Sequence, residues 1–272
     1  MKCRPSALPS PRLPTNSQGI PIGLQAFSPM IRNMKKPVLL AAAAALVVLA
    51  LVGGGAYVYY FSGLRTAPAQ LGLTTTPTAS SATPIPPTGL AGKWTIASGS
   101  VVGYRVKELF VGQTSKHEAV ARTSTVSGGL TASGDSSGFQ VGDITFTAGL
   151  ADLHSVDSVA GRDVTQRDGV VFRQIDVQQF PTATFTATSA SVPGSVTTGQ
   201  VDITLTGKLT IHGVTKDMTV TAKAQMTGSK VEIAGSTSIN MGDYGVSPPQ
   251  FAFTTVDSTV LIEFDLFMTK AA

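Results

Sequence analysis

The alternation of apolar and polar side chains between Val201 and His212 most constrains what this chain can fold into. In the segment VDITLTGKLTIH, every second residue from Val201 to Ile211 is apolar or glycine, and the intervening residues are polar. Side chains of a β-strand point alternately to the two faces of the sheet, so this period of two predicts a strand with one buried face. Three other segments repeat the pattern: DITFTAGL from Asp143, MTVTAKAQM from Met218 and LIEFDLFM from Leu261.

Further strands are expected to begin near Trp94, Val101, Ala119, Ala183 and Val231. Roughly eight to ten strands, separated by Gly, Ser, Asp and Pro residues and each with one apolar face, predict an all-β, antiparallel fold. At this level a two-sheet sandwich and a closed barrel both fit the pattern.

One interval, between Leu150 and Thr182, breaks the β pattern. It contains apolar and polar residues at helical spacing, and Pro181 ends the helical pattern. We expect one or two short helices here, covering the opening of a barrel or filling its end. The residues at helical spacing are Val171, Phe172, Ile175 and Gln179.

The N-terminal part of the chain contains a long apolar segment. Residues 38–61 include no charged residue, and as a helix they would extend about 36 Å, enough to span a bilayer with some tilt. Arg32, Lys35 and Lys36 precede the segment, which by the positive-inside rule predicts a cytoplasmic N-terminus. A cleaved signal peptide is the alternative, with small residues near Ala67 and Ala69 as its cleavage site.

These features predict four regions. Residues 1–37 form a basic cytoplasmic tail, with Met30 and Met34 as alternative starts to Met1, and residues 38–61 form a transmembrane helix. Residues 62–92 are rich in Thr, Pro, Ala and Ser and predict a partly extended linker. Residues 93–272 form the β domain. The predicted location is therefore the cell membrane, with a single pass and an extracytoplasmic C-terminal domain.

Charge and cysteine content exclude some classes of function. The pI is near 9.2, but residues 93–272 hold 13 basic and 16 acidic residues, a net charge of −3. The β domain is therefore not basic enough to predict nucleic-acid binding. The single cysteine, Cys3, lies in the predicted cytoplasmic tail, so the β domain has no disulfide or thiol chemistry.

Five segments, in order, resemble the YceI-like family of exported bacterial proteins. The resemblance covers residues 93–270 and implies a lipocalin-like barrel of about eight strands that binds polyisoprenoid lipids, either an isoprenoid quinone or a polyprenyl chain. It implies no cofactor other than such a lipid, and it is compatible with a homodimer. The segments are WTIASGSVVGYRV, GRDVTQRD, FPTATF, GKLTIHGVTKDMTV and INMGDYGV.

Alternation and resemblance together suggest which residues would contact a lipid. A barrel filled by its own side chains is the alternative to a cavity, since eight strands leave little interior space. The residues expected to face the interior are Phe146, Phe185, Leu209, Ile211 and Phe264, with Phe172 and Ile175 at the mouth.

Two polar residues complete the predicted site. His212 falls on the polar face of its strand before Gly213, so hydrogen bonding in a turn is the main interpretation and contact with a lipid head group is the alternative. Its spacing to His117 and His154 does not match a metal site. Arg162, beside Asp163, either forms an ion pair or binds a head group through its forked donors.

Three classes of function follow from these features. A membrane-anchored lipid-binding protein, for carriage, storage or stress protection, fits best. An enzyme acting on a prenyl lipid would need a nucleophile, a metal cluster or a carboxylate pair at recognisable spacing, and the sequence contains none, so we expect no enzymatic activity. A structural or adhesive β domain on a stalk is the third class.

Overall fold

The structure is a computed structural model that describes residues 36–61, 65–74, 90–113, 115–135, 137–159 and 162–271. The chain divides into two units, residues 1–55 and 56–272, and the second contains every described strand. The predicted cytoplasmic tail, apart from its last two residues, lies outside the described residues.

The predicted apolar segment is helical. Helix α1 comprises Lys36–Phe61 and contains the whole of the predicted segment 38–61. Its described side chains between Leu46 and Val52 are largely exposed. Among the residues whose side chains the structure describes, no helix is both long and apolar enough to cross a membrane.

The described residues of the second unit form fourteen antiparallel strands, the end of α1 and a further α-helix, α2 (Gln166–Gln174). Short 3₁₀ helices follow at Gly194–Thr197 and Met241–Tyr244. The strands are β1 (Arg65–Thr66), β2 (Gly92–Ile96), β3 (Val101–Phe110), β4 (His117–Thr123), β5 (Val126–Asp135), β6 (Gly138–Gly149), β7 (His154–Ser155), β8 (Ser158–Val159), β9 (Thr182–Pro193), β10 (Val201–Ile211), β11 (Val214–Thr227), β12 (Lys230–Asn240), β13 (Gln250–Phe251) and β14 (Thr254–Lys270).

Eight of these strands close into a barrel. Neighbouring strands follow the order β12, β11, β10, β9, β6, β5, β2 and β14, and β14 pairs with β12 to complete the ring. The long β14 pairs with β3 over its first part and with β2 at its last residues, and β4 and β7 extend the sheet beyond β3. The sequence therefore predicted the fold class correctly, and the closed barrel, rather than the sandwich, is the form it takes.

The interior of the barrel differs between its two ends. At the end where β14 finishes, which we call the packed end, buried apolar side chains pack together and leave a cavity of only about 60 Å³. The indole N–H of Trp94 donates a 2.8 Å hydrogen bond to the Leu90 carbonyl there. Among the side chains that fill this end are those of Leu90, Trp94, Phe139, Val196 and Met268. The end where β14 begins, which we call the mouth, is hollow. The two alternatives, a packed core and a cavity, are thus both present.

Strand β10 follows the predicted alternation. Val201, Ile203, Leu205 and Leu209 are buried. The intervening polar residues Asp202 and Thr204 are exposed. Strand β5 was not predicted from the sequence, because its segment VSGGLTASGD has small and polar residues on both faces. Helix α2 ends at Gln174, so Ile175 and Gln179 lie after it rather than within it.

Part of the predicted linker lies on the outside of the barrel. Residues 65–74, which we call the strap, begin as β1, whose two residues pair with β8. Further along the strap, the Pro68 and Ala69 carbonyls accept hydrogen bonds of 2.7 and 2.6 Å from the guanidinium groups of Arg105 and Arg122. Residues 75–89 of the predicted linker lie outside the described residues.

The strap covers charged side chains of the outer wall. Glu263 is fully buried and accepts hydrogen bonds from Arg105 at 2.6 Å, from Arg122 at 3.0 Å and from the Leu71 amide at 3.1 Å. The amide and hydroxyl of Thr74 both donate to a second buried carboxylate, Glu232. A buried carboxylate is costly unless it is paired, so the docked strap supplies donors that these acids require.

Candidate functional site

The hollow part of the barrel is a cavity of about 700 Å³. This volume lies within the range of small-molecule binding sites, roughly 300 to 1,000 Å³. Its lining is mainly aliphatic and aromatic, because the inward positions of the strands carry Val, Ile, Leu and Phe. The structure places seven of the predicted contact residues in the lining: Phe146, Arg162, Ile175, Phe185, Leu209, Ile211 and Phe264.

The exposed residues of the lining mark where the cavity opens. Arg162 and Gln166 lie just before or at the start of α2, and Phe251 and Phe253 lie at the hairpin that joins β13 and β14. The two phenylalanine rings stack with their centroids 5.4 Å apart and are 40% and 53% exposed. The mouth therefore lies between the N-terminal end of α2 and this hairpin.

Helix α2 forms one side of the mouth. Positions three, four and seven apart share one face of a helix, and Arg167, Val170, Val171 and Gln174 follow this spacing and line the cavity. Phe172 is rotated about 100° from Val171, and the structure does not place it among the residues that line the cavity.

His212 also lies outside the lining. It forms a two-residue hairpin turn with Gly213 between β10 and β11, and both residues have positive φ angles, 51° and 72°, as a type I′ turn requires. The imidazole Nδ1 lies 3.0 Å from the Tyr244 carbonyl oxygen, which can only accept, so Nδ1 carries the proton and donates. The Phe180 ring packs edge-on against the imidazole of His212, with the two ring centroids 5.1 Å apart. The turn interpretation of His212 is the one that this geometry matches.

A buried network of charged groups lies beside the mouth. Arg167 donates 2.7 Å hydrogen bonds to Asp157 and to Glu108, and His117 lies 2.6 Å from the other oxygen of Asp157. Burial by itself raises the pKa of Asp157. Hydrogen bonds from His117, Arg167 and the Val120 amide outweigh burial and hold that pKa far below its ordinary value. The network is thus a set of paired charges that fixes α2 against β3 and β4.

Tyr104 is the polar group of the cavity that lacks a partner. Its ring lines the cavity, and its hydroxyl is buried with no hydrogen-bond partner among the described residues. Burial raises the pKa of this phenol above its ordinary value, so the hydroxyl stays protonated at neutral pH. The wall of the cavity therefore contains a neutral hydrogen-bond donor that has no partner among the described residues.

Arg162 is the cationic group at the mouth that has no carboxylate partner among the described residues. Its guanidinium lies 4.3 Å from the centroid of the Phe110 ring, a cation–π contact. The neighbouring Asp163 instead accepts hydrogen bonds from the amide and hydroxyl of Thr165. No ion pair between Arg162 and Asp163 is present in the described part of the chain, and Arg162 is exposed at the opening.

Sequence reasoning missed Tyr104, Glu108 and Asp157. It considered His117 only as a metal ligand, and it noted Arg167 in the segment GRDVTQRD as part of an ion pair or a ligand contact. A signal for two of them was present, because Tyr104 and Glu108 occupy the same face of β3 as Val102, Val106 and Phe110. A polar residue on an otherwise apolar strand face is worth noting, because a buried polar group requires a partner or a ligand. The Arg167 partners lie 10 and 59 residues away, and no local pattern predicts them.

A known protein family matches the part of the chain that forms the barrel. Residues 94–268 match the family described as the YceI-like domain. Two UPF0312 proteins, from Pseudomonas putida F1 and Pseudomonas syringae pathovar tomato, are 32% and 30% identical over 95 residues, which is 33% of this chain and 47% of each relative. The chain thus spans about half the length of the curated relatives that it matches.

Solved structures also resemble the barrel. A polyisoprenoid-binding domain from Saccharophagus degradans, implicated in plant cell wall breakdown, is 15% identical, with a TM-score of 0.45, over 65% of this chain and 98% of that one. BcnA from Burkholderia cenocepacia is 18% identical, with a TM-score of 0.41, over 62% of this chain and 95% of that one.

Proposed function

Because this chain belongs to the YceI-like family, we propose that it is a binding protein for a polyisoprenoid-type lipid held in the barrel cavity. The observation that carries the proposal is the cavity itself: about 700 Å³, apolar along its walls and open at one end. An isoprenoid quinone and a polyprenyl chain are the two ligand types that we propose. The role is carriage, storage or protection of the lipid rather than catalysis.

The sequence of the N-terminal segment supports a membrane location for this binding protein. Helix α1 has 26 residues, and the segment from Val38 to its end at Phe61 contains no charged residue. We propose that α1 anchors the protein in the cell membrane and that the barrel is extracytoplasmic, as the basic residues before the helix suggest.

The energetics favour exchange of lipid rather than permanent capture. Moving an isoprenoid tail from water into the cavity would be worth about 0.8 kcal/mol per methylene-sized group. Moving the same tail from a bilayer gains little, because it is already in an apolar medium. Preference among membrane lipids would therefore come from the shape of the cavity and from Tyr104 and Arg162 near the head group.

The proposal is tested by filling the cavity. In strand β11, Val220 is buried and lines the cavity, and the adjacent Thr219 points outward and is exposed. We expect organic extracts of the purified full-length protein to contain a stoichiometric prenyl lipid, identified by mass spectrometry. Val220→Trp should lose this lipid, and the matched control Thr219→Trp should retain it.

Two checks make the comparison decisive. Thermal unfolding of both variants establishes whether each is folded, because Val220 also packs in the buried apolar cluster. Equal lipid content in the two tryptophan variants would assign the lipid to the helix or the detergent and would contradict the proposal. A folded wild-type protein without any prenyl lipid would instead favour a structural or adhesive β domain.

A further inference from the structure

The mouth of the barrel carries a cluster of exposed apolar side chains. In the described part of the second unit outside α1, four large apolar residues are exposed: Val111, Val156, Phe251 and Phe253. Three of the four surround the mouth, since the two phenylalanines line the opening and the Val111 amide donates a 2.9 Å hydrogen bond to the Phe253 carbonyl. We call Val111, Phe251 and Phe253 the rim. An apolar cluster of this kind on an otherwise polar surface marks an interaction site.

The charge beside the rim indicates which kind of partner it fits. Arg162 lies at the same opening, stacked on Phe110, and no carboxylate among the described residues neutralises it. Exposed aromatic side chains next to an unpaired arginine suit the interface of a bilayer, where rings enter the acyl-chain boundary and the guanidinium contacts lipid phosphates.

The pairing of the strap shows which end of the barrel it contacts first. The strap first touches the barrel where Arg65 pairs with Val159, and Val159 is bridged in turn to Arg162 at the mouth. The chain therefore joins the barrel at its open end.

The other end of the barrel is directed away from this junction. The strap continues along the outer wall to Thr74, which bonds Glu232, and Glu232 pairs with Phe267 near the end of β14. The strap thus runs from the mouth toward the packed end.

From these observations we propose that the rim inserts into the interface of a lipid bilayer, so that the cavity opens directly into the acyl-chain region. A lipid tail then enters the barrel without crossing water. This inference rests on the proposed lipid-binding function, because it assigns the route by which the ligand reaches the same cavity.

A fluorescent label distinguishes the rim from the packed end. In a Cys3→Ser background, Val111→Cys places a label on the rim, and the control Ser229→Cys places it in the exposed turn between β11 and β12 at the packed end. The full-length protein is reconstituted in nanodiscs of phosphatidylcholine and phosphatidylglycerol that contain a nitroxide-labelled lipid. We expect a blue-shifted emission and strong quenching at position 111, and neither at position 229. Similar quenching at both positions, or none at 111, would overturn the inference.

A transfer assay separates this inference from the proposed function. Val111 does not line the cavity, so Val111→Asp should leave the amount of bound lipid unchanged but lower the rate of lipid transfer to acceptor vesicles about tenfold, because a charge must enter the interface. Ser229→Asp is the matched control and should transfer at the wild-type rate. If prenyl lipid is bound and Val111→Asp transfers it normally, the rim inference alone fails; if no prenyl lipid is bound, the proposed function fails, whatever the label at position 111 shows.

Discussion

Replacing Arg167 by methionine tests the physical role of the charged network beside the mouth. The side chains of Asp157 and Glu108 are 0% and 6% exposed, and Arg167 bonds both at 2.7 Å. Methionine keeps most of the apolar stem but leaves two carboxylates buried without their cation. Removing one partner of a buried ion pair typically costs about 3 to 5 kcal/mol. For a domain of this size that corresponds to a fall in Tm of about 6 to 20 °C.

The dependence on pH sharpens this prediction. The folded-state pKa of Asp157 lies below its unfolded value, so its contribution to stability is present above about pH 4 and is lost as the pH falls. Without Arg167 the pKa of Asp157 should rise, and the variant should lose less stability on acidification than the wild type. The difference in Tm between the two proteins should therefore narrow below about pH 4.

The matched control lies on the same helix. Arg173 is exposed in the last turn of α2, so Arg173→Met removes the same charge at a cost of about 1 kcal/mol or less. Thermal unfolding followed by circular dichroism measures all three proteins across the pH range. If Arg167→Met resembled Arg173→Met, or if its deficit stayed constant between about pH 7 and about pH 3, the network would not stabilise the barrel as argued.

Three further substitutions have definite expected outcomes. Tyr104→Phe removes a hydroxyl without a protein partner, so chemical denaturation should show a stability change below about 1 kcal/mol, whereas the affinity for a lipid with a polar head should fall several-fold in a titration. Burial, together with the nearby Glu232, raises the pKa of Asp265 to about 7, so ionisation of this carboxyl lowers stability as the pH rises from about 4 through 7. Asp265→Asn should therefore raise Tm at about pH 8 but not at about pH 4. A higher Tm at about pH 4 and not at about pH 8 would refute this reasoning. Gly207→Ala would place a Cβ in steric conflict with the Thr186 carbonyl oxygen, so we expect a loss of about 2 kcal/mol or more in the free energy of unfolding. An unchanged denaturation midpoint would contradict the close approach of β9 and β10.

The sequence predicted those parts of the fold in which one local pattern determines the structure. Strand β10 was predicted because its alternation is strict, and the turn at His212 because a glycine follows at the end of that alternation. Strand β5 was missed because Gly128 and Gly129 interrupt its alternation, although Val126, Leu130 and Ala132 pack into the core. The helical interval was identified, but its bounds shifted, since helical spacing continues past Gln174 although the helix does not.

The candidate site was predicted less completely, because much of it depends on long-range contacts. Inward positions such as Phe185 and Phe264 follow from strand alternation alone. The partners of Arg167 come from β3 and from the segment before α2, and the docked strap depends on acids of β12 and β14 that are far away in sequence. Only the closed barrel brings these groups together. The composition of residues 65–74 alone resembles that of a flexible linker and therefore does not predict that this segment docks.

The packed end of the barrel has a consequence for tail length. Because Trp94, Phe139 and their neighbours form a floor beneath the cavity, a prenyl chain can occupy the barrel only down to a fixed depth, and any surplus isoprene units must remain outside. A cavity closed at one end would contact the isoprene units inside it and make no contact with those beyond its opening. Lipids that share a head group but differ in overall length would then bind with nearly equal affinity once their tails are longer than the cavity is deep.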